Sequence, residues 1–315
     1  MRMRRALVAL LLVAAAGCSG GSGYPPGRML IATGGHGGVY YVYGQGLANV
    51  IRADLPGLDA KVLVTAASVE NLQLIASGGA DAAFTLADSA AQAVGGKPPF
   101  SRPEPIRALA RLYDNYVQLV VRADSPVRTL ADLRGRRVST GAAGSGTELI
   151  ALRLLGVAGI DPNRGIRRQR LDIDDAARAL RSGRLDAFFF SGGLPTAAIA
   201  DLANSGNIRL VDLGAFVAPM REHYGEFYSD RSIPASAYKG LARDVPTIGV
   251  PNYLVVNAAM DDRVAYALTK LLFDERAALA RAHPEALRLN RRAAIATYPV
   301  PLHPGAEQYY RQAKI

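Results

Sequence analysis

Two glycine-rich loops contain the residues whose types and spacing favour a specific chemistry. In the first, four glycines and His36 fill positions 34–38, between a short apolar run and apolar residues spaced three and four apart. This order predicts a strand, a loop and a helix whose N-terminus faces the loop. Unpaired backbone N–H groups and the helix dipole favour an anionic group at such an N-terminus. The first loop is therefore a candidate anion-binding site, and the alternative of a tight turn without a ligand stays open.

The second loop, Gly141 to Thr147, has the glycine spacing of a phosphate-binding P-loop. It carries Thr147 and Glu148 where that motif needs a lysine followed by a hydroxyl residue. A nucleoside triphosphate would lose its phosphate clamp without the lysine. We therefore expect the backbone N–H groups of Ser145, Gly146 and Thr147 to hold a smaller anion.

Both loops belong to a plan that occurs twice. Each opens with the pattern Thr-Gly-x-x-Gly, beginning at Thr33 and at Thr140. Each is followed by Ser-Gly-x-x-Asp-Ala-x-Phe, beginning at Ser77 and at Ser182. Two motifs repeated in the same order predict two lobes built alike, although such loops and helix ends also recur by chance in α/β proteins.

Strand and helix patterns alternate around these loops and predict an α/β protein with mostly parallel sheets flanked by helices. Ligands of open α/β sheets bind beyond the carboxyl ends of the strands, where both loops lie, so we expect a ligand cleft between the lobes. Residues 28–120 and 250–315 are assigned to the first lobe, and residues 121–249 to the second. Within this plan, Ile106–Tyr113 and Tyr116–Arg122 are predicted as two separate strands.

Composition and charge restrict the class of partner. The chain has 315 residues, of which 50% are hydrophobic and 20% charged, as in ordinary globular proteins. Its formal net charge is +10, but the arginines are scattered and form no stripe interleaved with aromatic residues. We therefore expect no nucleic-acid partner.

The N-terminal residues have the features of an export signal. Three arginines at positions 2, 4 and 5 precede an apolar run, Ala6 to Ala16, that is too short to span a bilayer. Cys18, the only cysteine, follows Ala15-Ala16-Gly17, which resembles a bacterial lipobox except that Ala15 stands where leucine is usual. We predict a signal peptide at residues 1–17, a lipidated Cys18, and a flexible tether at residues 18–27. Secretion with cleavage nearby is the alternative.

Catalytic and metal-binding patterns are weak in this sequence. None of the four histidines shows metal-ligand spacing. Ser145 lacks the G-x-S-x-G frame of a nucleophile elbow, because Ala143 and Thr147 stand at the glycine positions. We predict no enzyme activity, no cofactor and no metal, with an esterase-like enzyme as the less favoured alternative.

Several motifs resemble one known family. They are ATGGxxGxYYxxGxxLA near the N-terminus, T-x-A-S-V-E-N at positions 65–71, the segment Leu130 to Thr147, F-x-S-G-G-x-P at positions 189–195, Y-x-G from Tyr238, the T-x-G-V-P segment near Thr247, and P-L-H-P-G-A-E-x-Y-Y at positions 301–310. Their order over residues 28–311 is similar to that of the TAXI proteins, which are extracytoplasmic solute receptors of tripartite (TRAP) transporters. Val42, where such receptors often carry proline, and His36 in the loop depart from the family pattern.

The resemblance implies a two-lobed, type II-like periplasmic-binding-protein fold, a ligand trapped in the cleft, and delivery to integral membrane subunits. Glutamate, glutamine and other small carboxylates are the implied ligands, and we expect a monomer on the outer side of the cytoplasmic membrane or in the periplasm.

Thirteen residues are candidate ligand contacts: Gly35, His36, Tyr40, Tyr41, Ser68, Asn71, Asp88, Ser145, Gly146, Thr147, Ser191, Gly192 and Pro195. Several have a structural alternative. Ser68 is expected to cap its helix, and Asn71 either orients a ligand or satisfies its own helix end. Asp88 either accepts a ligand ammonium or caps the next helix. Adjacent helical residues point about 100° apart, so one of Tyr40 and Tyr41 is expected in the core and the other near the cleft.

Overall fold

The computed structural model describes residues 27–206 and 208–314. The predicted signal peptide, Cys18 and nearly all of the tether lie outside the described residues. The strands are β1 (Gly27–Ala32), β2 (Leu58–Leu63), β3 (Ala82–Leu86), β4 (Ile106–Arg122), β5 (Arg137–Ser139), β6 (Arg167–Gln169), β7 (Ala187–Gly192), β8 (Ile208–Val211), β9 (Ser229–Ile233) and β10 (Val245–Asn257). The helices are α1 (Val39–Asp54), α2 (Ser68–Ser77), α3 (Ala87–Val94), α4 (Gly146–Val157), α5 (Ile173–Arg181), α6 (Ala197–Asn204), α7 (Val217–Tyr224), α8 (Asp262–Asp274), α9 (Arg276–Ala282), α10 (Arg291–Ala294) and α11 (Pro304–Gln312).

The strands form one mixed sheet in the order β2-β1-β3-β10-β4-β7-β5-β6, with β8 added to β4 and β9 added to β10. The outer strands of each half pair in parallel, β1 with β2 and β3, and β5 with β6 and β7. The long strands β4 and β10 are antiparallel to their neighbours. The predicted α/β class with flanking helices is confirmed. The sheet is mixed rather than mostly parallel as predicted, because β4 and β10 run antiparallel to all of their partners.

Strands β4 and β10 belong to both lobes. The first half of β4 pairs with β10, and from Tyr116 onwards β4 pairs with β7 of the second lobe. The register of β10 against β4 shifts between Pro251 and Tyr253. The expectation of two separate strands at 106–113 and 116–122 is therefore wrong, because the chain passes from one lobe to the other inside one strand. The lobe boundaries assigned from the sequence stay a prediction.

Each half of the sheet is covered on both faces by apolar side chains. In the first lobe, α1, α8, α9 and α11 cover one face and α2 and α3 cover the other. In the second lobe, α4 and α7 cover one face and α5 and α6 the other. These buried clusters give each lobe a core of its own. Burial of one large apolar side chain contributes about 1.5–3 kcal/mol. In the described part of the chain, no helix has the length and apolar character needed to cross a bilayer.

Candidate ligand-binding cleft

A cavity of ≈ 60 Å³ lies between the lobes, where the N-terminal ends of α1, α2 and α4 converge. One water needs about 10–15 Å³ by this measure, so the space accommodates roughly four or five water-sized groups. Eight of the predicted contacts line it: Gly35, Tyr40, Ser68, Ser145, Gly146, Thr147, Ser191 and Gly192. The cavity is thus of the size expected for a small ligand rather than a nucleotide.

The first glycine loop borders the cavity and also contacts the second lobe. The backbone N–H of Gly37 donates to Asp174 Oδ2 of the second lobe at 3.2 Å. A Cβ at position 37 would overlap the Asp174 carboxylate. None of the four loop glycines has a positive φ. Glycine at position 37 is therefore required by the close approach of the lobes rather than by an unusual backbone conformation.

The second glycine loop has the positive φ angles that the first one lacks. Gly141 and Gly144 adopt φ values of +100° and +80°, a region that favours glycine. Ser145 caps α4, because its Oγ accepts the N–H of Glu148 at 3.0 Å. The N–H of Ser145 itself donates to the carbonyl of Ala142 at 3.1 Å. Of the three N–H groups expected to be available, only those of Gly146 and Thr147 are. These residues occupy the first two helical positions, where the N–H groups have no intrahelical acceptor.

The carbonyl of Gly144 joins this loop to the first lobe. It accepts the N–H groups of Val69 and Glu70, both at 3.2 Å. The first turn of α2 is thus capped from across the cleft. Ser68, expected to cap α2, is instead its first helical residue, and its Oγ accepts the N–H of Leu86 at 3.1 Å. The predicted cap is wrong, and Ser68 instead fastens α2 to the end of β3.

Glu148 holds the second loop in shape. Its carboxylate accepts the N–H of Gly144 at 3.0 Å and binds the side chains of Arg168 and Arg170. Burial raises the pKa of Glu148, but the hydrogen bonds from Arg170 and Gly144 and the charges of Arg170 and Arg168 together lower it overall. Glu148 therefore stays ionised, and the two arginines offset its charge beside the cleft.

A chain of buried hydrogen bonds crosses the floor of the cleft from one lobe to the other. The Tyr40 hydroxyl donates to Asn252 Oδ1, and Asn252 Nδ2 donates to Asn115 Oδ1 at 2.7 Å. Asn115 Nδ2 then donates to the carbonyl of Ser191 at 3.1 Å, and the Ser191 N–H donates to Thr147 Oγ1 at 3.1 Å. Burial raises the pKa of Tyr40, so its hydroxyl keeps the proton that it donates.

Sequence analysis missed Asn115, Asn252 and Tyr113, all of which lie in the two long strands. The available signal was a polar amide inside an apolar strand pattern. Tyr113 is only 3% exposed and lines the cavity, and its hydroxyl has no hydrogen-bond partner among the described residues. Burial raises the pKa of Tyr113 well above its ordinary value, so the hydroxyl stays protonated.

Residues 31–313 of the sequence match the NMT1-like family. The chain belongs to this family.

Solved structures similar to this NMT1-like protein are periplasmic binding proteins or share their fold. The periplasmic aliphatic sulphonate binding protein SsuA from Escherichia coli is 17% identical, with a TM-score of 0.50 over 91% of this chain and 83% of that one. A protein from Bordetella bronchiseptica RB50 is 22% identical, with a TM-score of 0.53 over 88% and 83%. An ancestral arginine-binding protein bound to arginine is 14% identical, with a TM-score of 0.52 over 83% and 99%. The predicted periplasmic-binding-protein fold is confirmed, whereas the TAXI assignment stays a prediction.

Five predicted contacts of this NMT1-like protein do not line the cavity. His36 is exposed and its ring lies 4.5 Å from that of Tyr41, whose hydroxyl accepts from Gln45 at 2.9 Å. Tyr41 is half-buried and does not line the cavity, while Tyr40 is both buried and at the cleft. Pro195 is exposed in the loop after β7.

Asn71 is fully buried and fastens the strand ends of the first lobe. Its Nδ2 donates to the carbonyls of Thr33 at 2.7 Å and Phe84 at 2.8 Å. Its Oδ1 accepts the hydroxyl of Thr65 at 2.6 Å. Both ends of the amide are therefore used within the protein, but on strand ends and on Thr65 rather than on the end of its own helix, so the capping alternative is wrong.

Asp88 lies in a buried polar cluster that joins the lobes. Asp88 Oδ2 accepts from Arg153 Nη1 at 2.9 Å and from the Tyr228 hydroxyl at 2.8 Å. Its other oxygen accepts the N–H of Ser89 at 2.7 Å. The guanidinium carbon of Arg153 also lies 4.8 Å from the ring centroid of Tyr224. Asp88 thus binds a cation, but that cation is an arginine of the second lobe.

Proposed function

We propose that this protein is an extracytoplasmic solute receptor that captures a small carboxylate or amino acid between its lobes. The carrying observation is that the N-terminal ends of α1 and α4, from opposite lobes, line one cavity. Both ends present backbone N–H groups and the positive end of a helix dipole. Binding proteins for sulphonates and for arginine share the fold, which supports a receptor role.

Binding fits the cleft better than catalysis does. The Ser145 hydroxyl already accepts the Glu148 N–H, and none of the four histidines lines the cavity. No histidine therefore lies beside Ser145 to act as its general base. A ligand-sensing or adhesin-like surface protein is the second candidate, because a sensor would bind its ligand in the same cleft.

The finer proposal is that the receptor delivers its ligand to TRAP-type membrane subunits, and it rests on the TAXI-like motifs. Co-expression with TRAP-type membrane subunits is the discriminating experiment. Uptake of labelled ligand that requires both partners would support transport, whereas normal uptake without the receptor would favour sensing.

We also propose that the protein acts as a monomer and is anchored at the membrane by a lipidated Cys18. Two or three acyl chains hold a protein firmly at a bilayer, whereas one anchors it only marginally. Mass spectrometry of the membrane fraction should find a diacylglyceryl-modified cysteine, and an unmodified N-terminus elsewhere would contradict the proposal.

The receptor function itself is tested by ligand-dependent stabilisation. A ligand at about 100 times its dissociation constant stabilises the fold by about 2.7 kcal/mol, which is visible as a raised melting temperature. The panel contains acidic and amide amino acids, dicarboxylates and 2-oxo acids, with neutral sugars as controls. Stabilisation by a sugar and by no carboxylate would contradict the proposed ligand class.

A further inference from the structure

The segment 284–298 carries most of the large apolar side chains that face solvent on this protein. Four such side chains stand exposed among the described residues, and three of them lie in this segment. Leu287, Ile295 and Tyr298 are 59%, 42% and 88% exposed. Single exposed apolar residues are common on protein surfaces, but several in one short segment indicate an interaction surface.

The backbone of this segment is fixed to the first lobe at several points. The turn Pro284–Arg288 and helix α10 both pack against β4. The buried side chains of Ala286, Leu289 and Ala294 belong to the core on that face of the sheet. The exposed side chains between them therefore project outward from a surface that the fold holds in place.

Arginines alternate with the exposed apolar side chains. Arg288, Arg291 and Arg292 are all exposed, and residues 286–303 contain no aspartate or glutamate. The carboxylate of Glu285 is buried and lies 4.0 Å from Arg288. The outward face of the segment is therefore both apolar and positively charged.

An anionic bilayer is complementary to this combination. Each arginine near an anionic membrane surface strengthens binding about fivefold, and apolar side chains enter the boundary between headgroups and acyl chains. The ring of Tyr298 is amphipathic, as are the tyrosines enriched at membrane–water interfaces. A bilayer offers negative charge and an apolar layer over its whole surface, so separate projecting side chains need no matched arrangement of partner groups.

We propose that the segment 284–298 binds the headgroups of an anionic phospholipid bilayer and lays the first lobe against the membrane. The three arginines contact the headgroups, and Leu287, Ile295 and Tyr298 insert between them. This surface lies outside the ligand cleft, because none of these side chains lines the cavity. The proposal therefore does not depend on ligand capture. A lipidated Cys18 would hold the receptor near the bilayer, and this surface would give it one orientation there.

Vesicle binding by the mature chain without acyl groups, residues 19–315, is the first test. Cosedimentation compares vesicles of phosphatidylcholine alone with vesicles that also contain phosphatidylglycerol. The wild type should bind at least about tenfold better to the vesicles with phosphatidylglycerol. This preference should weaken at high salt, because salt screens exposed charges. Equal binding to both kinds of vesicle, or binding to neither, would overturn the proposal.

The double variant Arg288→Gln with Arg292→Gln isolates the charge of the segment. Its binding to the anionic vesicles should weaken about twentyfold to thirtyfold, because two arginines are lost. Arg164→Gln with Arg167→Gln is the matched control, since it removes the same charge from exposed positions at and beside β6. The control should bind like the wild type. Equal losses in the two double variants would show a general effect of net charge and would overturn the proposal.

Leu287→Ser tests the insertion of apolar side chains. Its binding to the anionic vesicles should weaken about tenfold, as for a leucine that is no longer transferred out of water. Val64→Ser is the control, because Val64 is 50% exposed but lies outside the segment. Both variants should unfold at the same urea concentration as the wild type, since both positions face solvent. Unchanged vesicle binding by Leu287→Ser would overturn the insertion.

A protein partner for the same surface is distinguished by one further comparison. The double variant Arg288→Gln with Arg292→Gln is co-expressed with TRAP-type membrane subunits, and their co-purification is measured beside vesicle binding. Weaker vesicle binding with normal co-purification would support the bilayer as the occupant. Lost co-purification with unchanged vesicle binding would assign the surface to a protein and overturn the proposal.

Discussion

Gly146 at the start of α4 and Ser68 at the start of α2 approach so closely that no side chain fits between them. A Cβ on Gly146 would lie 2.6 Å from Ser68 Oγ and 3.0 Å from Ser68 Cβ. It would also lie 2.6 Å from a methyl carbon of Leu86. Ser68 and Leu86 belong to the first lobe and Gly146 to the second, so this glycine sets how near the lobes can come.

Gly146→Ala is therefore expected to hold the cleft partly open. The added methyl group overpacks the closed form, typically at about 1–3 kcal/mol, and leaves an open form unaffected. Ligand binding should weaken about tenfold or more, and small-angle scattering of the liganded variant should give a larger radius than that of the wild type. The weaker binding would result from incomplete closure of the lobes, because the methyl group contacts Ser68 and Leu86.

Gly156→Ala in the same helix is the matched control. A Cβ there meets only the Tyr224 hydroxyl, at an ordinary 3.6 Å. Alanine is favoured over glycine in a helix interior by about 1 kcal/mol, so this variant should be as stable as the wild type or more so, with normal affinity. Normal closure in Gly146→Ala would show that the lobes can shift to admit the methyl group.

The ion pair of Asp88 and Arg153 gives a second prediction about closure. Its side chains are 0% and 8% exposed, and it joins α3 of the first lobe to α4 of the second. Asp88→Asn leaves Arg153 as an uncompensated buried charge, which costs about 3–5 kcal/mol where the site cannot open. We expect a lower free energy of unfolding in urea and a larger scattering radius, because opening hydrates the guanidinium.

The exposed pair of Lys270 and Asp274 provides the comparison for this prediction. Its side chains are 53% and 40% exposed, four residues apart on α8. Exposed helix pairs of this kind contribute about 0.3–0.5 kcal/mol, so Asp274→Asn should change little. Equal effects of the two substitutions would mean that the buried pair is dispensable for closure.

The local features of this fold were predictable, and the features that depend on long-range partners were not. Glycine loops and apolar spacing predicted both loops with the helices that follow them, because turns and periodicity are determined by neighbouring residues. The sequence at Asp114 and Asn115 indicates a turn, yet β4 continues through it. Arg111 binds Asp114 at 2.8 Å, Arg231 binds it at 3.1 Å, and Asn115 bonds to β7 and β10. Apart from Arg111, these partners are distant in the chain, and they override the local preference.

The same reason explains which site residues were found. Gly146 and Thr147 follow one glycine-rich turn, and Ser191 directly precedes another at the end of β7, so sequence analysis placed them at the cleft. Asn115 and Asn252 lie within strands far apart in the chain, and only the pairing of β4 with β10 brings them together. Polarity identified Asp88 as important, but its partner Arg153 is 65 residues away. The chemistry of a buried carboxylate could be inferred from the sequence, and its partner could not.

Asn71→Ala separates a structural role from a ligand contact. The variant removes hydrogen bonds to the carbonyls of Thr33 and Phe84, and a buried acceptor left unpaired costs about 1–3 kcal/mol. We expect that loss in the free energy of unfolding, with the ligand affinity of the folded protein unchanged. Asn49→Ala, on the exposed side of α1, is the control and should be neutral. Lost affinity at unchanged stability would instead assign Asn71 to the ligand.

Glu285 connects the lobes through a titratable group. The buried carboxylate accepts the N–H of Leu194 at 2.8 Å, and Arg288 lies 4.0 Å away. Burial raises the pKa of Glu285 above its ordinary value of 4.5, while the Leu194 N–H and Arg288 oppose the rise and Asp114 adds to it. The folded protein therefore binds this proton more tightly than the unfolded chain does.

Glu285→Gln should abolish the pH dependence that this proton produces. Below about pH 4.5 both states of the wild type hold the proton, and the stabilisation is complete. It is lost as the pH rises through the higher folded pKa, because the unfolded chain releases the proton first.

Glutamine keeps an oxygen for the Leu194 N–H and has no such proton. Urea unfolding from about pH 4 to about pH 7 should therefore show the variant gaining stability relative to the wild type, with a plateau above the folded pKa. His283 and His303, whose pKa values burial lowers, are present in both proteins and cancel in the difference. A difference that stays constant across this range would mean that Glu285 titrates alike in the folded and unfolded chains.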